Sequence, residues 1–439
     1  MGKFPSLKLL LVSVVVSFGS SFHFGYQLVI TNPSQAAFID FLNRSYELFE
    51  TEILQTIWSI IVAILFAGAI CGALSIGFVS TKFGRKRGLY VSIGCGILAV
   101  LLAIISCHVI SFELYIVSRI ILGFAVALGL GLSAMLFNES SPRNCRGFVS
   151  MMTGIMVQFG TFIGAIIAMP LLLGTTDRWW YIYLIEIIIL CIVMALLPFI
   201  PESPAYLIQR GYDEAARNAV LFYYGCKVGA VDGPLNEIKE NVTANAKKLS
   251  VIAVFKDHYS RKGVIVGIVV SFAMSFSGVA DNKCQKILYL KSFVVADRFG
   301  RRPLVLISLS ILLVLNLVIF VLMFCFEEFQ LQWIGYFLVV IIALFLFFFA
   351  IGVGPVSFFV AAETVGQAAR GTSQSCSSMT QMICRLVILM IFYPISDAIT
   401  QPITYLILFV IPVFLSILFL YSNMPETKNK DHKKVGVFI

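Results

Sequence analysis

The sequence predicts an all-α membrane protein built from two similar halves, and three observations carry that reading. The 439 residues are 59% hydrophobic and only 13% charged, against roughly a quarter charged in soluble domains. The apolar residues fall in runs of about 20, the length a helix needs to cross a hydrocarbon core of about 30 Å. Finally, Glu139-Ser-Ser-Pro-Arg-Asn-Cys-Arg-Gly147 recurs in outline as Glu363-Thr-Val-Gly-Gln-Ala-Ala-Arg-Gly371, with Arg-Gly seven residues after a glutamate each time. Such internal repetition marks a duplicated architecture.

Taken in order, the apolar runs are 9–30, 54–79, 88–107, 112–137, 149–173 and 179–200. A polar stretch, 201–262, follows, and then 263–280, 303–326, 331–360, 372–396 and 402–422. This gives an N-terminal six-helix bundle (1–200), a cytoplasmic segment of loop and short helices (201–262), and a C-terminal bundle with a tail (263–439) that has only five full runs. Two further motif pairs align the halves. Lys82-Phe-Gly-Arg-Lys86 repeats as Arg298-Phe-Gly-Arg-Arg302, and Pro201-Glu-Ser-Pro204 as Pro425-Glu-Thr-Lys428. On that alignment 263–302 is truncated: the only apolar stretch left for an eighth helix, Ile287 to Ala296, would reach about 15 Å. A shallow hairpin or a pair of short helices is expected there, since the basic residues at Arg298 to Arg302 belong on the cytoplasmic side.

Basic residues occupy alternate gaps (Lys82, Arg85, Lys86, Arg87; Arg143, Arg146), and acidic ones dominate the others (Asp40, Glu47, Glu50, Glu52; Glu327, Glu328). The positive-inside rule then puts both termini, the long loop and both Glu/Arg motifs in the cytoplasm. It leaves the Asn43-Arg44-Ser45 sequon outside as a glycosylation site and those at Asn138 and Asn241 silent. The net charge of +9 follows from these short loop tracts and does not indicate a nucleic-acid partner. No metal-ligand spacing, nucleophile elbow or phosphate loop is present, so the sequence points to neither an enzyme nor a cofactor.

The motifs and their order resemble the sugar porter family of the major facilitator superfamily, specifically the facilitative hexose transporters. The resemblance is carried by Phe24-Gly25-Tyr26, Lys82-Phe-Gly-Arg-Lys86, Arg119, Glu139 to Gly147, Gln158-Phe-Gly-Thr-Phe-Ile-Gly164, Pro201-Glu-Ser-Pro204, Gly352-Val-Gly-Pro355 and Pro425-Glu-Thr-Lys428. It implies a major facilitator fold of two six-helix bundles, here with about 11 full spans. The implied activity is uniport of a neutral sugar, glucose or fructose, by alternating access without a cofactor. A multi-pass protein in contact with membrane lipid, at the plasma membrane, is the implied setting.

Charged pairs at cytoplasmic helix ends make a two-state gate, for which the candidates are Arg85, Lys86, Glu139, Arg146, Glu202, Arg301, Arg302, Glu363, Arg370 and Glu426. Arg119, costly against lipid by about 3 kcal/mol, is expected to face the bundle and to pair with an acid such as Glu139. For substrate the candidates are Gln158, whose amide suits a polyhydroxylated ligand, with Gln27, Phe358 and Gln381. Gly352, Gly354 and Pro355 form a hinge or helix break. Proton-coupled relatives carry an aspartate where this chain has Gln27, and the first run holds no Asp or Glu, which favours passive uniport over proton-linked symport. The departures lie in the second half: Met274, Ser275 and Ala280 replace polar sugar-binding positions, and Arg385 replaces a neutral one. They keep open a second class of function, a non-transporting sensor or truncated isoform of the same fold.

Overall fold

The structure is a computed structural model that describes residues 5–45, 51–142, 145–225, 229, 231–244, 251–277, 301–329, 332–365 and 369–425. Among these residues there is no strand. The first half consists of α1 (Leu7–Val29), a short α2 (Gln35–Ser45), α3 (Thr51–Lys82), α4 (Arg85–Val109), α5 (Phe112–Ser140), α6 (Arg146–Ile167) and α7 (Trp180–Leu196). The polar segment folds into α8 (Pro204–Gln209), α9 (Asp213–Tyr224), α10 (Asp232–Ala244) and α11 (Val251–Lys256). The second half holds α12 (His258–Phe276), α13 (Arg301–Phe329), α14 (Gln332–Ile351), α15 (Val353–Glu363), α16 (Arg370–Ala398) and α17 (Gln401–Asn423).

Nine of the described helices are long and apolar enough to span a bilayer. Their packing rests on small residues, since lipid tails are as apolar as leucine and give no hydrophobic drive between helices. In the first half α3 and α5 approach at Gly68, Gly72 and Gly123, where an added Cβ would lie 2.0, 2.4 and 1.9 Å from backbone oxygens of the facing helix. At the other end of the bundle Phe38 and Phe41 of α2 close over Trp58, Tyr115 and Trp179, with ring centroids 4.6 to 6.3 Å apart. That cluster seats α2 and leaves Asn43 exposed on its outer face.

The direction of the second half follows from side-chain contacts. Thr364, after α15, donates to Gly263 O near the start of α12 (3.0 Å). Asn316 of α13 donates to Ser277 O at the other end of α12 (3.3 Å) and accepts from Tyr405 of α17 (2.8 Å). Arg302, at the start of α13, donates to Tyr421 O near the end of α17 (2.8 Å). Thus α13 runs antiparallel to α17, and the middle of α13 meets the end of α12. Of the shallow hairpin or pair of short helices expected over 263–302, the described part is a helix. Residues 258–276 form one helix about 28 Å long, capped by Asp257, which accepts from Ser260 N at 3.0 Å. That hydrogen bonding holds the Asp257 carboxyl below the usual carboxylate value. The remainder, 278–300, lies outside the described residues.

Candidate functional site

At one end of the first half, the sequence Lys82-Phe-Gly-Arg-Lys86 makes a turn that only glycine accommodates. Gly84 has φ of +89°, and a Cβ there would meet Glu202 Oε2 at 2.6 Å. The turn aims the first amides of α4 at Glu202, which accepts from Arg85 N and Lys86 N at 3.0 Å each and so occupies the positive end of the helix dipole. Arg85 is buried, donates to Ser80 O (3.2 Å) and pairs with Glu139 at 2.5 Å. Glu139 takes a second hydrogen bond from Ser203, and Lys86 Nζ reaches Pro198 O at 3.0 Å. The ends of α3, α4 and α5 and the start of α8 are therefore joined by one hydrogen-bonded charge network. Of the second-half counterparts, Arg302 bonds Tyr421 O. The side chains of Arg146, Arg301, Glu363 and Arg370, and all of Glu426, lie outside the described residues.

Arg119 does not join that network. Twenty residues separate it from Glu139 on α5, about 30 Å along a helix, so the expected pairing is corrected. The arginine instead donates Nη1 to Gln27 Oε1 (2.8 Å). Gln27 Nε2 donates to Glu186 Oε2 at 2.5 Å, and the other oxygen of Glu186 lies 2.7 Å from His23 Nε2. All four side chains are at most 3% exposed. Gln27 acts as a neutral bridge: its oxygen receives the cation and its N–H groups serve the anion. Next to it the hydroxyls of Tyr115 and Tyr183 lie 2.8 Å apart, and Tyr26 OH donates to Ile182 O (2.8 Å). Gln27, a candidate for substrate, is thus bound into a charge cluster inside the first bundle.

Between the halves, α16 packs along α3, and α15 along α6. On α16 the residues Gln374, Ser377, Ser378, Gln381 and Arg385 recur at helical spacing and are all buried, which makes a polar face rising about 16 Å. Ser377 faces Gly267 of α12, and Gln381 Nε2 lies 3.3 Å from Ser271 Oγ on the same helix. Arg385 crosses to the other half, its guanidinium 5.4 Å from the Phe24 ring centre and 6.0 Å from that of Phe66. Gln158 is half-buried on α6, its amide oxygen 3.3 Å from Thr161 Oγ1. The helix breaks at Gly352 (φ −111°, ψ −100°), between α14 and α15. Gly354 is buried, while the side chains of Pro355 and Phe358 lie outside the described residues.

The model of the family described as "Sugar (and other) transporter" matches residues 12–282 and 287–438. The chain belongs to this sugar transporter family. The transporter is 27% identical over 465 residues to facilitated glucose transporter member 9 of solute carrier family 2 from Mus musculus, covering 98% of this chain and 85% of that one. To member 1 from Gallus gallus it is 26% identical over 452 residues, with 95% and 90% covered. Among solved structures, the proton:xylose symporter XylE bound to 6-bromo-6-deoxy-D-glucose superposes with a TM-score of 0.80 at 19% identity, covering 99% of each chain. The fold is that of the major facilitator superfamily, and a membrane transporter, not an enzyme, is what the family makes of it.

Sequence reasoning missed His23 and Glu186 in this transporter. His23 was one of four scattered histidines, and Glu186 sits in an apolar run with no motif around it. A usable signal was present: a lone carboxylate in the middle of a membrane helix requires a buried partner. The π-helical turn at Phe18–Phe22, immediately before His23, is invisible to periodicity; such turns recur at functional sites. In the Arg85–Glu139–Glu202 network, Glu139→Gln is expected to lower stability by about 3 kcal/mol, because Arg85 stays buried with its counter-charge removed. Chemical unfolding of the purified transporter in detergent measures this, and a change below about 0.5 kcal/mol would show the pair to be solvated.

Proposed function

We propose that this chain carries a hexose across the membrane by facilitated diffusion, its two halves rocking about the interface between α3, α6, α15 and α16. The observation that supports this best is the buried polar face of α16, whose Ser377 and Gln381 meet α12 and whose Arg385 reaches Phe24 and Phe66 of the other half. Polar side chains at that depth mark a path. The names of its relatives, facilitated glucose transporters, agree with it. In this reading Gln158 and Gln381 bond sugar hydroxyls, Phe358 packs on the sugar ring, the Arg85–Glu139–Glu202 network holds the cytoplasmic gate, and the break at Gly352 serves as hinge. The basic loops place both termini in the cytoplasm of a plasma-membrane protein with a glycan at Asn43.

Uptake of labelled glucose and fructose by proteoliposomes tests it, and folded protein with no uptake above background would favour a non-transporting role. Gln158→Leu is expected to reduce uptake at least about tenfold, the loss of one or two hydrogen bonds to substrate, with the amount of folded protein unchanged. Equal loss of both would make Gln158 structural.

A second reading, proton-linked transport, gains from the His23–Glu186 contact. The first run lacks an acid, but α7 supplies one to Gln27, so a titratable pair stands at this place after all. An imposed pH gradient separates the two: uptake unchanged by the gradient leaves uniport, whereas uptake driven uphill by it requires proton coupling.

A further inference from the structure

We propose that the end of α3 and the start of α4 form a binding site for an anionic phospholipid, with Lys82, Arg87 and Arg210 on its headgroup and Phe78, Phe83 and Phe199 against its acyl chains. The inference goes beyond sugar transport and holds whichever substrate is carried. It stands on three exposed apolar stripes that run into one basic rim. On α3 the stripe of Leu74 and Phe78 continues at the same spacing to Lys82. On α4 the stripe of Leu98 and Val91 continues to Arg87. On α7 the stripe of Ile188, Ile192 and Leu196 runs on to Phe199, which is 78% exposed. Such stripes on membrane-spanning helices face lipid, so the cations at their ends lie at the depth of the headgroups.

Hydrogen bonds hold the rim together. Arg210 Nη2 donates to Thr81 O (3.3 Å) and Lys82 O (3.0 Å) at the last turn of α3, and the bond from Lys86 Nζ to Pro198 O ties the end of α7 to α4. Lys82 Nζ lies 5.4 Å from the ring centre of Phe78 and 5.6 Å from that of Phe83, so the ammonium sits where the aromatic surface ends. Lys82, Arg87 and Arg210 are all exposed. The acids at this end are engaged elsewhere: Glu139 with Arg85 and Ser203, Glu202 with the first amides of α4. The rim therefore sets three cations above apolar surface, the complement of a phosphodiester above acyl chains, and clusters of Lys and Arg at the end of a span select anionic lipids. A zwitterionic headgroup answers its phosphate with its own ammonium and gains less.

The full chain, purified in neutral detergent, would be titrated with dioleoylphosphatidylserine and, separately, dioleoylphosphatidylcholine, reading the midpoint of thermal unfolding. Phosphatidylserine should raise the midpoint saturably, and phosphatidylcholine should not. In Lys82→Gln/Arg87→Gln the half-saturating concentration of phosphatidylserine should rise about 25-fold, about fivefold for each cation removed. Arg178→Gln, beside the start of α7 and so at the other end of the bundle, should leave it unchanged. Glycerophosphoserine separates a lipid from a soluble anion, because without acyl chains it should give no shift at the same concentrations. The inference would be overturned by an equal shift from both lipids or from glycerophosphoserine, by a phosphatidylserine shift undiminished in the double variant, or by an equal loss in Arg178→Gln. Should the double variant fail to fold, phosphatidylserine with a photoactivatable acyl chain decides the matter on the unmodified chain. Labelling concentrated in residues 74–91 and 196–212 is expected, and labelling spread evenly over the spans would sink the site.

Discussion

Replacing Gly25 by alanine is expected to leave little folded protein. The Cβ of such a residue would lie 1.8 Å from Val157 O and 2.7 Å from Val157 C, and atoms of the backbone cannot turn aside as a side-chain tip can. Helices α1 and α6 would have to separate by more than 1 Å at a crossing that is tight from both sides, because a Cβ at Gly160 would meet Phe22 O at 2.1 Å. Separation parts Phe22 of α1 from Phe159 of α6, whose ring centroids lie 5.6 Å apart across the same crossing, and dispersion contacts fall off steeply with distance. Overpacking of this kind costs about 3 kcal/mol or more, a large share of the stability of any domain. Gly77→Ala is the control. Nothing lies within 4 Å of its added Cβ, so the better helix propensity of alanine should leave stability equal or raised by about 0.5 kcal/mol. Yield of monodisperse protein in detergent and the midpoint of thermal unfolding read both variants. Equal behaviour of the two would mean that the α1–α6 crossing has room the glycines do not report.

Gly25 also shows what was readable in the chain. Phe24-Gly25-Tyr26 and the glycines after Gln158 stood out as motifs, and their spacing in an apolar run already meant close helix approach; what they pack against is each other. The apolar runs gave the helices because span length is fixed by bilayer thickness, and the duplicated Glu/Arg motif gave the two halves. The helix-end charge network was legible for a related reason: Arg85, Glu139 and Glu202 sit at helix ends, where position in the sequence determines position in space. The interior was not. Which acid meets Arg119 depends on the rotation of α5 against α1 and α7, and an amide bridge through Gln27 has no sequence signature. The register between α12 and α13 was equally hidden, since it is set by contacts of Asn316 with Ser277 and Tyr405 across long separations.

The second large effect is expected at Glu186. Glu186→Ala removes the one carboxylate of the buried cluster and leaves Arg119, 1% exposed, in charge contact with nothing but the neutral Gln27 among the side chains bonded there. It also strips the acceptor from Gln27 Nε2 and removes the oxygen that lies 2.7 Å from His23 Nε2. Breaking a buried pair from one side costs about 3–5 kcal/mol, because the remaining charge keeps its desolvation cost without its partner. Stability measured by chemical unfolding should fall by that amount. Glu186→Gln should cost less, about 1.5–3 kcal/mol, since the amide keeps the side-chain volume and an oxygen that can accept from Gln27. If His23 and Glu186 act as one unit, the loss in the double variant His23→Ala/Glu186→Ala will fall short of the two single losses added together, by about 1–3 kcal/mol. Strict additivity would show that the 2.7 Å contact contributes nothing between them. The same variants bear on the choice between uniport and proton coupling. All three helices of the cluster belong to the first half, so a purely structural cluster will lower the amount of folded transporter and leave uptake per folded molecule, and its dependence on pH, as in the unmodified chain. A flattened pH dependence in Glu186→Gln, at equal folded amount, is what a proton-carrying pair requires.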